Sequence, residues 1–213
     1  MLKARCEATS TEYKSYKSSG GDGDETVEVT CPYGNTFVCG LGSGDSRGSQ
    51  DEVTPKMDCK GIARVELHVP SASDLDGVQR FYRAVFGVES AVDEDGVLVV
   101  PFGPNQVLAF KVGTIENDNY LDGTGPHISL YVDNLTKTWV STVAIKRSLV
   151  YVNPRFKRQA KSLDEALDQC MFRVLNIVDP LSPERTIMRL EHEIRSATKV
   201  DGTKYKSFVL KGE

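Results

Sequence analysis

The chain has 213 residues, a net charge of −4 and a sequence pI near 5.5; hydrophobic residues make up 39% and charged residues 26%. That balance is ordinary for a soluble globular protein long enough to bury a core without staples. The nearest thing to a basic block is Arg155, Lys157, Arg158 and Lys161. No nucleic-acid partner is therefore expected, and no apolar run is long enough to predict a membrane span.

Five cysteines (Cys6, Cys31, Cys39, Cys59 and Cys170) fall at irregular spacing with no C-x-x-C pair. This argues against a zinc knuckle or a thioredoxin-like site and predicts a reducing compartment, the cytoplasm or an organelle matrix. The first residues lack the apolar stretch of a secretory signal. They are basic and rich in Ser and Thr, as transit peptides are, but Glu7 and Glu12 speak against one.

In chain order, residues 1–25 are polar and predict a disordered or mobile arm. Residues 26–39 hold two short β-rich runs around a turn signal at Pro32-Tyr33-Gly34-Asn35, which predicts a β-hairpin. Residues 40–60 read as a linker; their glycines do not make a phosphate loop. At 61–113, Val65, Leu67 and Val69 alternate with polar residues, as in a strand. Leu75, Val78, Phe81, Tyr82, Val85 and Phe86 then recur at helical spacing, with Gly87 at the helix end. A run of three antiparallel strands follows, turning at Asp95-Gly96 and Gly103-Pro104-Asn105.

At 124–196 the pattern restarts. HISLYV reads as a strand and DNLTKTWVSTVAIKRSL as a helix with Leu135, Trp139, Val140 and Val143 on its buried face. LVYVNP reads as a short strand, Ser162 to Glu165 as the capping box of a brief helix, and MFRVLNIVD and RTIMRLEHEI as the last two strands. Residues 197–213 form a C-terminal tail. The offset from Arg64 to His127 gives a repeat of about 63 residues. Trp139, Phe81 and Tyr82 are core residues by periodicity, and Cys170, at the end of the brief helix, reads as a small buried residue.

Asp74-Leu75, Phe81-Tyr82 and Phe86-Gly87 after a strand, the re-entry GPHISLYVDNL and the terminal LEHEIRS together resemble the vicinal oxygen chelate superfamily of glyoxalases, bleomycin-resistance proteins and dioxygenases. The resemblance covers roughly residues 26–196. CPYGN with TFVC resembles the end of an earlier module, so 26–39 reads as a hairpin remnant. The resemblance implies an α+β fold of paired βαβββ modules forming a half-open barrel. It also implies a divalent metal (iron, zinc, nickel or manganese) held by one residue from the first and one from the last strand of each module, and frequent dimerisation.

Carried onto this sequence, the resemblance assigns His127 and Glu191 as metal ligands, with Glu66 as third ligand or general base. Glu191 and Glu193 share one face of the last strand, where either could instead pair with Arg189 or Arg195 across the sheet. The first module departs from the pattern. Arg64 stands opposite His127 in the alignment and cannot bind a cation; it is suited to an anionic ligand, with His68 on the same face. The fourth position falls among Gln106, Lys111 and Val112, none a good ligand. Two functions follow: a metal-dependent lyase, isomerase or dioxygenase on a small oxygenated molecule, or a catalytically silent subunit that binds a small ligand or serves assembly. As partners, a small-molecule ligand and a second copy or a larger assembly are expected.

Overall fold

The computed structural model describes residues 2–17, 25–31, 35–39, 62–103, 106–113, 127–157 and 159–203. The chain divides into two compact units, 1–60 and 61–213.

The first unit holds α1 (Leu2–Ala8), β1 (Tyr13–Lys17), β2 (Glu25–Thr30) and β3 (Thr36–Cys39). Its sheet has the order β1-β2-β3, antiparallel throughout, with Tyr13 opposite Val29 and Val27 opposite Cys39. This corrects the reading of 1–25 as an arm without regular structure. The polar segment YKSYK gains a strand by borrowing a backbone ladder from β2, with the ion pair Lys14–Glu28 at 3.2 Å across it. The hairpin at 26–39 is thus two strands of a three-stranded sheet. The turn at 32–34, the linker at 40–60 and tail residues 204–213 lie outside the described residues.

The second unit is mixed α+β. It begins with β4 (Arg64–Val69), α2 (Ala72–Phe86), β5 (Ala91–Val92), β6 (Leu98–Gly103) and β7 (Gln106–Val112). It continues with β8 (His127–Val132), α3 (Leu135–Ile145), a 3-10 turn (Arg147–Leu149), α4 (Leu163–Gln169), β9 (Met171–Asp179) and β10 (Ser182–Ser196). One sheet has the order β4-β7-β6-β5 and the other β8-β10-β9; β4–β7 and β8–β10 are the parallel pairs. The two sheets therefore share one pattern, the first strand beside the last. The expected strand at LVYVNP is reduced to a single bridge from Val150 to Val174. Asn153 spends its side chain elsewhere, and Pro154 has no N–H to extend a ladder.

One core joins the two sheets, with α2 packed against β9 and touching α3, β4, β6, β7 and β10. Asp74 sits in the first turn of α2, where the helix dipole favours a carboxylate, and Gly87 closes the helix at φ 68°, its N–H donating to the Arg83 carbonyl. Phe81, Tyr82 and Trp139 are buried, as periodicity requires. In α3 Leu135 and Trp139 are buried and Val143 packs against the core, as expected, but Val140 is 55% exposed and Thr138 and Thr142 are inside. Thr138 and Thr142 become tolerable inside because each hydroxyl donates to the carbonyl four residues back, at 3.0 and 2.8 Å. The capping box holds, with Ser162 Oγ accepting from the Glu165 N–H, and Cys170 ends α4 in the left-handed conformation at φ 54°.

Candidate functional site

The two faces of β10 do different work. Leu190, His192 and Ile194 turn to the core, where Tyr82 Oη and His192 Nε2 are 2.8 Å apart. By alternation Glu191 and Glu193 lie on the other face. That face carries charge, yet both side chains are under 9% exposed.

What neutralises them is Arg173, from the neighbouring β9. Glu193 is its register partner. Arg173 Nη1 donates to Glu191 Oε1 at 2.7 Å, and Nη2 stands 2.5 Å from Glu193 Oε2. The segment after α3 closes over them. Asn153 Nδ2 donates to the second Glu191 oxygen at 2.8 Å, and the Phe156 ring lies 4.3 Å from the Arg173 guanidinium carbon. Arg155 and Arg195 end the chain of charges, at 3.9 Å from Glu191 and in contact with Glu193; they are 46% and 40% exposed. Burial pushes the Glu193 carboxyl up, but Arg173 and Arg195 outweigh it and hold it below its usual range.

The residues singled out from sequence are distributed as follows. His127 opens β8, is exposed, and is the register partner of Glu191 on the adjoining parallel strand. Neighbouring strands are about 4.8 Å apart, so the two residues stand side by side. Glu66 and Arg64 are exposed on β4 and pair with each other at 3.0 Å. His68, also exposed, packs its ring so closely over Gly113 that a Cβ there would lie 3.1 Å from it. Among the described residues no group of three His, Cys, Asp or Glu side chains is placed to hold a metal ion. Both oxygens of Glu191 are engaged by nitrogen donors, so the residues at hand do not fit the metal centre that the resemblance implies. Arg173, Asn153, Arg155 and Phe156 escaped the sequence reading. The available signal was Arg173 itself, one charged residue inside the otherwise apolar start of MFRVLNIVD, since arginine is seldom buried unless paired.

No family model matches this sequence, and no curated protein matches it significantly. Similar solved structures include a possible glyoxalase from Bacillus cereus, at 12% identity over 64% of this chain and 99% of that one, with a TM-score of 0.40. A lactoylglutathione lyase from Agrobacterium tumefaciens is 18% identical over 64% and 95%, with a TM-score of 0.36. A glyoxylase/bleomycin resistance protein/dioxygenase domain from Frankia sp. EAN1pec is 15% identical over 65% and 93%, with a TM-score of 0.37.

Proposed function

We propose that residues 61–213 form a glyoxalase/dioxygenase-like protein of two paired modules in a half-open barrel, the first βαβββ and the second with one of its strands reduced to the Val150–Val174 bridge, and that it binds a small oxygenated anion on the helix-free face of β8-β10-β9. The observation that carries this reading is the engagement of Glu191 by Arg173 and Asn153. A carboxylate already neutralised by a buried guanidinium is a poor metal ligand. The half-exposed Arg155 and Arg195 at the ends of the charge chain offer donors matched to a carboxylate or phosphate. This fits a binding or assembly subunit better than a metal enzyme.

One observation favours the second reading, a divalent-metal lyase, isomerase or dioxygenase using His127 and Glu191 with Glu66 as third ligand or base. It is the register that sets His127 beside Glu191. Elemental analysis of protein purified without chelators, with calorimetric titration of Mn²⁺ and of 2-oxo carboxylates, separates the two. Anion binding lost in Arg155→Ala and Arg195→Ala, with no stoichiometric metal, supports the first. A stoichiometric metal lost in His127→Ala overturns it in favour of the second.

A further inference from the structure

We propose that the anion taken by this site is an arylcarboxylate, its carboxylate on Arg155 and its ring stacked on Phe156. The inference rests on the reading that the helix-free face binds a small oxygenated anion, and it names the class. Charge comes first. The row Arg155–Glu191–Arg173–Glu193–Arg195 sets three guanidiniums against two carboxylates, one positive charge in excess. Arg173 is 7% exposed and spends its Nη atoms on the two glutamates, so the excess falls to the half-exposed ends of the row. A single carboxylate balances it, and a guanidinium fork suits a carboxylate.

The Arg155 end adds an aromatic surface. Stacking on the Arg173 guanidinium, 4.3 Å from the ring centroid, uses one face of Phe156, and the residue is still 42% exposed. Neither Arg155 nor Phe156 hangs on a loose loop. Asn153, 1% exposed, accepts the Arg155 N–H on its Oδ1 at 3.0 Å and the Phe156 N–H on its carbonyl at 3.1 Å. Gln159 Nε2 ties the same turn down, donating to the Asn153 and Phe156 carbonyls at 2.5 and 2.6 Å. The Asn153 that engages Glu191 thus also fixes a cation and a ring side by side, so little ordering is left for a ligand to impose. An aliphatic acid would use Arg155 alone. A planar ring bearing a carboxylate uses both groups, in the offset stacking that aromatic pairs favour.

The test compares benzoate with cyclohexanecarboxylate, equal in charge and close in size but unable to stack, on the full-length protein, with affinities read from amide NMR shifts. Wild type should prefer benzoate by at least about threefold. Phe156→Leu should bring the two affinities together while keeping the cyclohexane acid, and Arg155→Ala should weaken both by about tenfold. Equal affinities in wild type, or a preference that survives in F156L, overturns the proposal. Should F156L not fold, Phe156→Trp gives the answer. Its emission should change with benzoate and not with the cyclohexane acid, against a wild-type background of Trp139 alone, which is buried. No change with benzoate in F156W overturns the proposal. If 2-oxo carboxylates bind and benzoate does not, the arylcarboxylate assignment alone falls. If none of these anions binds, the anion-binding reading beneath it falls as well.

Discussion

Tyr82 Oη and His192 Nε2 lie 2.8 Å apart, both side chains wholly buried, and this contact ties α2 to β10 at the centre of the core. Around it Phe81 and Phe86 pack on the imidazole with ring centroids at 5.9 and 6.0 Å. The histidine of LEHEIRS is therefore a core residue, while its flanking glutamates face the charged side.

A pH dependence follows. Burial drives His192 down from 6.5 to about 4. The native state then binds fewer protons than the unfolded chain between those values, so stability rises with pH across that window. The contribution is full above 6.5, falls as pH drops, and is gone below about 4. A shift of this size corresponds to about 3 kcal/mol. Urea denaturation from pH 4 to 7.5 should show that slope, and His192→Phe should flatten it. An unchanged slope in the variant would rule out His192 as its source.

Two ion-paired carboxylates act in a lower window. Asp179 is held below its usual range first by the bidentate Arg80 and then by the Leu181 N–H. Burial pushes Asp74 up, but bonds from Ser71 and Arg185 prevail and hold it low. Folded-state values below the unfolded ones mean stability that is present above the ordinary carboxylate pKa and lost only as pH falls through the depressed values.

These two ion pairs also fix where α2 sits, and Gly77 lets it sit close. A Cβ at Gly77 would come 2.6 Å from Ile187 Cδ1 and 3.2 Å from Asp179 Cβ. Gly77→Ala adds helix propensity worth about 1 kcal/mol, but overpacking costs about 1–3 kcal/mol. We expect net destabilisation of about 1 kcal/mol, relieved when Ile187→Val removes the nearest methyl. Thermal melts of both single variants and the double variant measure the coupling; additive effects would mean that Gly77 and Ile187 do not interfere.

Much of this fold is legible in the sequence because its period is strong. The α2 stripe from Leu75 to Phe86 and the alternation of Val65, Leu67 and Val69 each leave one answer. Val140 misleads because apolarity alone places it inside, whereas Thr138 and Thr142 satisfy their own hydroxyls and take the buried face. β1 is hidden because its residues are polar and its stability comes from pairing with β2. At the site, the shared face of Glu191 and Glu193 follows from alternation. Their engagement by Arg173 does not, because it depends on a strand register interrupted between Arg189 and His192 that no local pattern encodes.

The last prediction concerns assembly. In the first unit β1 and β3 are the edge strands of a three-stranded sheet. Tyr16, Phe37 and Val38 are 47%, 49% and 61% exposed there, while Cys6 and Val27 are its buried apolar residues among those described. So small a core is marginal on its own, and apolar edge strands invite pairing with another chain. We expect the full-length protein to self-associate, or to enter a larger assembly, at micromolar concentration. Val38→Lys is the discriminating change. Val38 lies opposite Glu28 in the β2–β3 register, so a lysine there gains a cross-strand partner and leaves the sheet intact while charging its edge. Sedimentation should show wild type heavier than 23.5 kDa and the variant shifted toward that mass. A wild-type protein that already sediments as a clean monomer would refute self-association and leave a different protein as the only partner to seek.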